Sequence, residues 1–440
     1  MTPASSEAAR PGTAPAAGAG RPGLPWLSIV PCVIAIMAVA NLQYTWTLFA
    51  DPLMKGLGVK LSAVQLGFSL YIMAQTWLAP FEGWLADRFA PRLLAVIGGA
   101  LVGLNWVGAG LAQSVWPLYA ACLVGGFGCG LVMAAGGRIA LRCFGERRGL
   151  AIGIVSMAYG LGPVLAVVPI QRTIAAYGYQ EAFIVWGVVQ ACVLLAAAWF
   201  LVEPTTLPPS PPAERPAGTS PGSAGRGKTP AEVLRTPVFW WMYAIMTLVA
   251  FGGLLITAQL AQIAASFGLP KTFLLFGLGG VTLAIVVDRV MNAAARPFWG
   301  WVSDFTGRPA AMAAAFGCEA LAVFLLIQTS GHPVAFILLS GVTFFAWGEI
   351  FSLFPALIAD VFGPENAMTN YGLLFTAKGT ASLAAGWGAA RLIEAGASWS
   401  AVLWGVLACD VAAALLTWFL LKPAVAAGTE THCSPAGRAD

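Results

Sequence analysis

From residue 27 to residue 421 the chain alternates long apolar runs with short breaks that carry Gly, Pro and charge. An apolar run crosses a hydrocarbon core of ~30 Å when it holds about 20 residues in helical form. Twelve runs meet that length, near 27–50, 62–86, 92–112, 116–140, 149–171, 181–202, 237–262, 274–302, 309–329, 333–359, 367–392 and 398–421. A bilayer interior offers no partners for free backbone amides, so such runs must close their own hydrogen bonds as helices. The pattern therefore predicts an all-α membrane protein with twelve transmembrane helices.

The flanking segments read differently. Residues 1–24 are mostly Ala, Pro, Gly and Ser, cannot bury a core, and are expected to be a disordered tail. They lack a short apolar stretch followed by a cleavage site, so no signal peptide is assigned. Residues 203–236 hold Pro204, Pro208, Pro209, Pro211, Pro212, Pro216 and Pro221 among Gly and Ser, the composition of a flexible tether. Residues 422–440 form a polar C-terminal tail.

The tether divides an internal repeat. Ala79-Pro80-Phe81-Glu82-Gly83-Trp84-Leu85-Ala86-Asp87 returns at an offset of 217 as Arg296-Pro297-Phe298-Trp299-Gly300-Trp301-Val302-Ser303-Asp304, with five of nine positions identical. Phe127, Gly130, Phe144 and Gly145 align with Phe345, Gly348, Phe362 and Gly363 at 218, and Gly153, Ala158, Tyr159 and Gly160 with Gly372, Ala377, Lys378 and Gly379 at 219. Repetition near half the length implies two copies of one unit. The expected organisation is an N-terminal six-helix bundle (25–202) and a C-terminal one (237–421), pseudo-symmetric, with a transporter's site between them.

Composition supports the membrane reading: 59% of residues are hydrophobic and 10% charged, against about 25% charged in a soluble domain. Counting Lys and Arg in the loops gives fourteen on the side of both termini and five on the other, which places both termini in the cytoplasm and the protein in the cytoplasmic membrane. The net charge of +4 is small, and no nucleic-acid partner is expected. The cysteines of the apolar runs read as small packing residues. With two histidines and no C-x-x-C, nothing calls for a metal or a cofactor, and no catalytic constellation appears at productive spacing.

Four cations interrupt the spans: Arg138, Arg289, Arg296 and Lys378. Each costs roughly 2.5–3.5 kcal/mol at a bilayer centre, so each needs a reason. Arg138 stands one turn from the end of its span and can snorkel. Arg296 lies about 12 Å inside Asp304, and Lys378 about 16 Å from the start of span eleven, both near the midplane. The first half has Ala79 and Tyr159 at the matching positions, so the scaffold itself does not demand the charges. Two cations facing one cavity would attract a carboxylate, which suits the arginine fork. The alternative is pairing with a fixed acid such as Asp288 or Glu349.

Asp288 and Arg289 precede Arg296 on one helix, with Arg289 close to the same face. Asp288 could neutralise Arg289, gate, or carry a coupled proton. Glu319, Glu349 and Asp410 are read as packing or pairing groups. Trp347 and Phe351, one turn apart, with Tyr159, Gln43 and Tyr44, could enclose a small flat anion. Asp87 and Asp304, one turn after Gly83 and Gly300, could lock the cytoplasmic side. Pro297 favours a bend beside Arg296.

Gly83-Trp84-Leu85-Ala86-Asp87-Arg88 with Arg92, and its second copy from Gly300 to Arg308, resemble the loop motif of the major facilitator superfamily. The first copy has Ala90-Pro91 where Gly-Arg is usual. Within that superfamily the chain resembles the oxalate:formate antiporter family. The resemblance is carried by Leu42-Gln43-Tyr44-Thr45-Trp46-Thr47-Leu48, Ala158-Tyr159-Gly160-Leu161-Gly162, Leu234-Arg235-Thr236-Pro237-Val238-Phe239-Trp240 and Phe251-Gly252-Gly253-Leu254-Leu255. Arg296-Pro297-Phe298-Trp299-Gly300, Trp347-Gly348 and Ala377-Lys378 complete it.

The resemblance implies an alternating-access exchanger whose Arg296 and Lys378 bind the two carboxylates of oxalate, with Gln43, Tyr44, Tyr159 and Trp347 around it. Met133 and Phe351 stand where the family's pocket carries tyrosines, which makes a bulkier or less polar carboxylate an alternative passenger. The expected function is thus secondary transport of small organic anions by a monomer, not enzymatic turnover. A proton-coupled monocarboxylate symporter using Asp288 is the alternative, and a transporter-like membrane sensor a third reading.

Overall fold

A computed structural model describes residues 24–143, 148–201, 227–270, 273–329, 331–363 and 366–426, without the side chains of 24–28, 87, 141–143 and 148–152. The N-terminal tail, most of the tether, the end of the C-terminal tail and the Asp87 side chain therefore lie outside the described residues.

The first span is α1 (Leu24–Val39) continued by α2 (Asn41–Leu57), and the second is α3 (Leu61–Trp77) continued by α4 (Ala79–Arg88). Spans three to six are α5 (Pro91–Leu111), α6 (Val115–Cys143), α7 (Arg148–Tyr177) and α8 (Tyr179–Phe200). After the short α9 (Pro230–Leu234), α10 (Pro237–Ser266) makes the seventh span. A hairpin of β1 (Leu274–Leu275) and β2 (Leu278–Gly279) leads into α11 (Gly280–Thr306) and α12 (Arg308–Gln328), the eighth and ninth. The tenth combines α13 (Pro333–Trp347), a 3-10 turn over Gly348–Phe351 and α14 (Leu353–Phe362). The eleventh joins α15 (Ala367–Ser382), a π-helical turn at Leu383–Gly388 and α16 (Ala389–Glu394), and α17 (Trp399–Leu416) begins the twelfth.

Among the described residues nine helical stretches are long and apolar enough by themselves to cross a membrane. The other three of the twelve, spans two, eight and eleven, are those richest in polar or charged side chains: Gln65 and Gln75, then Asp288, Arg289 and Arg296, then Asn370 and Lys378, all buried. Their low hydropathy is therefore spent inside the protein and not on its lipid face. Outward, Trp116, Leu165, Trp199 and Phe305 are exposed, as a surface bathed in acyl chains requires.

Two boundaries differ from expectation. The eighth span begins at Gly280, not near residue 274, because Phe276 (φ 54°) and Gly277 (φ 73°) turn the preceding apolar residues into a hairpin. Consecutive positive φ values match the twist of paired strands, and a short apolar run looks the same in either form. The tether also ends earlier than 236. Thr229 and Glu232 form a capping box at the start of α9, the Lys228 amide donates to the Phe362 carbonyl (2.8 Å), and Asn370 Nδ2 donates to the Lys228 carbonyl (3.1 Å). Its last residues are thereby fastened to the second half.

Within the first half, Phe49 stacks on Phe183 (3.9 Å between centroids) and meets Trp106 edge-on (5.9 Å). Close helix approach depends on small residues: a Cβ on Gly98 would lie 2.6 Å from the Gly128 carbonyl oxygen. Cys32, Cys122 and Cys129 are buried, whereas Cys192 is exposed. Arg138 donates to the carbonyls of Ala86 and Phe89 at the end of α4, so it caps a helix terminus.

Several spans that meet the opposite half are broken in mid-course. The first breaks at Ala40, the second at Leu78, the tenth at Gly348–Phe351 and the eleventh at Leu383–Gly388, while Gln259 in α10 leaves helical geometry (φ −129°, ψ 18°). Pro80 explains the second break, since it has no N–H to offer Thr76.

Hydrogen bonds between the halves gather at the end remote from the termini. Ser62 donates its amide and hydroxyl to Glu394 (2.7 and 2.9 Å), Gln65 Nε2 to the Ala258 carbonyl (3.0 Å), and Ser69 Oγ to the Ser382 carbonyl (2.7 Å). The Ala261 amide donates to Thr47 Oγ1 and Gln262 Nε2 to Asp51 Oδ1, both at 2.9 Å. Toward the termini, Trp77 Nε1 donates to the Thr376 carbonyl (3.2 Å).

Candidate functional site

Midway between these ends, α2, α3 and α7 of the first half meet α10, α11 and α15 of the second, with α13 packed against α11. Lys378 sits on α15, 1% exposed. Its Nζ donates to Gln75 Oε1 at 3.2 Å and Gln43 Oε1 at 3.3 Å, both amides belonging to the first half. The Tyr159 hydroxyl joins the same two residues, accepting from Gln75 Nε2 and donating to Gln43 Oε1, each at 2.8 Å. One lysine thus organises a ring of neutral groups across the bundle interface. Met133 lines that ring, its Sδ 3.7 Å from Gln75 Nε2.

Arg296, 4% exposed, lies on α11. It donates Nη1 to the Ser156 carbonyl of α7 and Nη2 to Asn292 Oδ1 (3.4 Å), and its Nε has no partner. Its Cζ stands 4.5 Å from the centre of the Phe351 ring, which Lys378 Nζ also approaches at 5.6 Å. Lys378 further lies 5.2 Å from the Phe375 ring. Aromatic faces attract cations more strongly once water is removed, so the one Phe351 ring interacts with both charges. Trp347 packs edge-on against Phe351 (5.3 Å) and is fully buried. Gly253 admits it: a Cβ there would lie 2.2 Å from the indole.

The alternative of pairing with fixed acids fails on distance. Among the described residues the ion pairs are Arg308–Asp360 and Arg391–Glu394, both away from this centre. Arg296, Lys378 and Arg289 have no carboxylate partner there. Asp288 is buried with neither oxygen in a recorded hydrogen bond, as are Glu319, Glu349 and Asp410; of the packing or pairing read for the last three, the described residues show burial and no ion pair. Asp304 is exposed at the end of α11 and is not brought to the site. No group of His, Cys, Asp or Glu able to hold a metal ion occurs among the described residues.

Several donors near this centre have no acceptor. Gln43 Nε2, Tyr44 Oη, Arg289 Nε and Nη1, Arg296 Nε and Trp347 Nε1 are all buried without a partner. Unmet donors in a dry interior are costly, and an anion is the one kind of acceptor that would also neutralise the cations among them. Tyr44 meets Tyr159 edge-on at 5.6 Å, so all eight sequence-read lining residues, Arg296, Lys378, Tyr159, Trp347, Gln43, Tyr44, Phe351 and Met133, come together. Gln75, Asn292 and Phe344 pack into the same cluster. A glutamine interrupting an apolar run, the feature that marked Gln43, was the available signal for Gln75.

A family model described as Major Facilitator Superfamily matches residues 32–293. The sequence is 34% identical over 399 residues to the oxalate:formate antiporter of Oxalobacter formigenes, covering 90% of this chain and 91% of that protein. It is 25% identical over 363 residues to the uncharacterized MFS-type transporter YhjX of Escherichia coli strain K12, covering 81% and 86%. Over 242 residues it is 26% identical to monocarboxylate transporter 11 of Homo sapiens, covering 54% and 47%. A family model spanning more than half of the chain, and a relative matched along nine-tenths of it, agree with the helical architecture and with the family read from the motifs. This multi-pass membrane protein, a transporter of small solutes and not an enzyme, belongs to the major facilitator superfamily, in the family of the oxalate:formate antiporter.

Proposed function

We propose that the protein exchanges small carboxylate anions across the cytoplasmic membrane by alternating access, with both termini in the cytoplasm. The observation that carries this reading is a pair of buried cations, Arg296 and Lys378, held at the junction of the halves with only neutral acceptors. A dianion neutralises both, and lets the bundles of residues 25–202 and 237–421 close around it and rock. Empty, the site keeps two uncompensated charges, which disfavours crossing and enforces exchange. Gln43, Tyr44, Tyr159, Trp347, Phe351 and Met133 line the passenger. In this orientation the hydrogen-bonded end faces outward. The exchange activity named for the relative from Oxalobacter formigenes makes oxalate and formate the first substrates to test.

The test is exchange in proteoliposomes. Labelled oxalate should enter faster when unlabelled carboxylate is loaded inside, and Arg296→Gln should abolish that uptake while inserting normally. Uptake unaffected by Arg296→Gln refutes the site. One observation favours a second reading: the buried Asp288 could bind a proton and couple it to a monocarboxylate. A proton gradient then drives uptake, and substrate on the far side does not accelerate it.

A further inference from the structure

Arg289 has no role in the exchange described above, yet it is as deeply buried as the residues that do. It is 2% exposed and held between two rings, its Cζ 4.1 Å from the centre of Tyr44 in the first half and 3.9 Å from Phe344 in the second. The Tyr44 hydroxyl lies against the guanidinium, and beyond that mutual contact neither it nor Arg289 Nε and Nη1 has a partner. Asp288, its neighbour in sequence, forms no ion pair with it. Three buried donor atoms, one permanent charge and no acid make a second anion-binding pole.

We propose that Arg289 and Tyr44 bind the distal carboxylate of a dicarboxylate whose proximal carboxylate sits at Arg296 and Lys378, so that the site selects dianions longer than two carbons. The inference rests on the carboxylate-exchange reading and adds the substrate class. Arg289 and Arg296 are seven residues apart on α11, within about 20° of one face and about 10 Å along the axis. A carboxylate held by a guanidinium places its carbon about 4 Å from Cζ. With the guanidinium groups spaced as their backbone positions are, two such contacts leave about 2–4 Å between the carboxylate carbons, the separation set by one or two methylene groups; directly bonded carboxylates are about 1.5 Å apart. The apolar walls supplied by Phe344, Trp347 and Phe351 suit those methylenes and would gain nothing from a fully oxygenated passenger.

The experiment is inhibition of labelled-carboxylate exchange in proteoliposomes by saturated dicarboxylates with zero to three methylenes, on wild type, Arg289→Gln, Arg289→Lys and Tyr44→Phe. Wild type should favour the one- and two-methylene members over oxalate. Arg289→Gln should weaken those members about tenfold or more relative to oxalate, erasing the preference, and Arg289→Lys should restore part of it. Tyr44→Phe, which keeps the ring under Arg289, should move the ratio the same way by a few fold and holds the test open if Arg289→Gln does not fold. Ratios unchanged in both Arg289→Gln and Tyr44→Phe overturn the proposal while leaving exchange intact. A wild type that exchanges no carboxylate overturns the underlying reading as well.

Discussion

Replacing Lys378 by Gln tests the site most directly, because activity and stability should move in opposite directions. The ammonium is buried, bonded only to two amide oxygens at 3.2 and 3.3 Å, and has no acid among the described residues. Two opposite charges about 4 Å apart attract by roughly 4 kcal/mol at an effective dielectric constant of about 20. Losing the charge should therefore cut dianion affinity by about 10²–10³, the lower figure applying because Gln still donates. The same change removes an unpaired charge from a dry interior, whose desolvation opposes folding. Melting of the empty protein in detergent should then stay level or rise. Exchange in proteoliposomes and thermal unfolding of the purified variant, measured on one preparation, decide it. A variant that loses both activity and several degrees of melting temperature would show that Lys378 is structural, and one that exchanges at the wild-type rate would remove it from the site.

Two further outcomes follow from contacts away from the charges. Gly253→Ala places a methyl 2.2 Å from the Trp347 indole, so the ring and its partner Phe351 must shift; transport should fall tenfold or more on the order of overpacking costs, and trimming Trp347 to Phe in that background should recover part of it. Glu394→Gln weakens the charge-assisted bonds from Ser62 and should move the equilibrium about tenfold toward opening at that end, read as faster labelling of a cysteine placed at Gln65 by an impermeant thiol reagent added from outside; unchanged labelling removes Glu394 from the closure.

The twelve crossings were legible because hydrocarbon thickness and backbone satisfaction leave a chain few choices, and Arg296 and Lys378 because a cation at midplane depth has no ordinary excuse. What escaped depends on tertiary distance. That Lys378 finds amides and no acid follows from where α2 and α3 meet α15, which no spacing reveals. Gln75 was passed over although it is as anomalous as Gln43. The turn at Phe276 and Gly277 looked like the start of a span because apolar residues serve both forms equally. The π-helical turn at Leu383–Gly388 contains no proline, so its break had no sequence marker, unlike that before Pro80.

The fastening of Lys228 to Phe362 and Asn370 determines where this polypeptide can be divided. A protease site or a fluorescent insert placed upstream of Gly227 leaves the clasp with its own partner, so two co-expressed fragments retain complete surfaces for reassembly. The same insert between Thr229 and Pro237 would pull α9 from its seat and strain the entry to α10. The seam of the molecule therefore lies before residue 227, ahead of the residue 236 at which composition alone ends the tether.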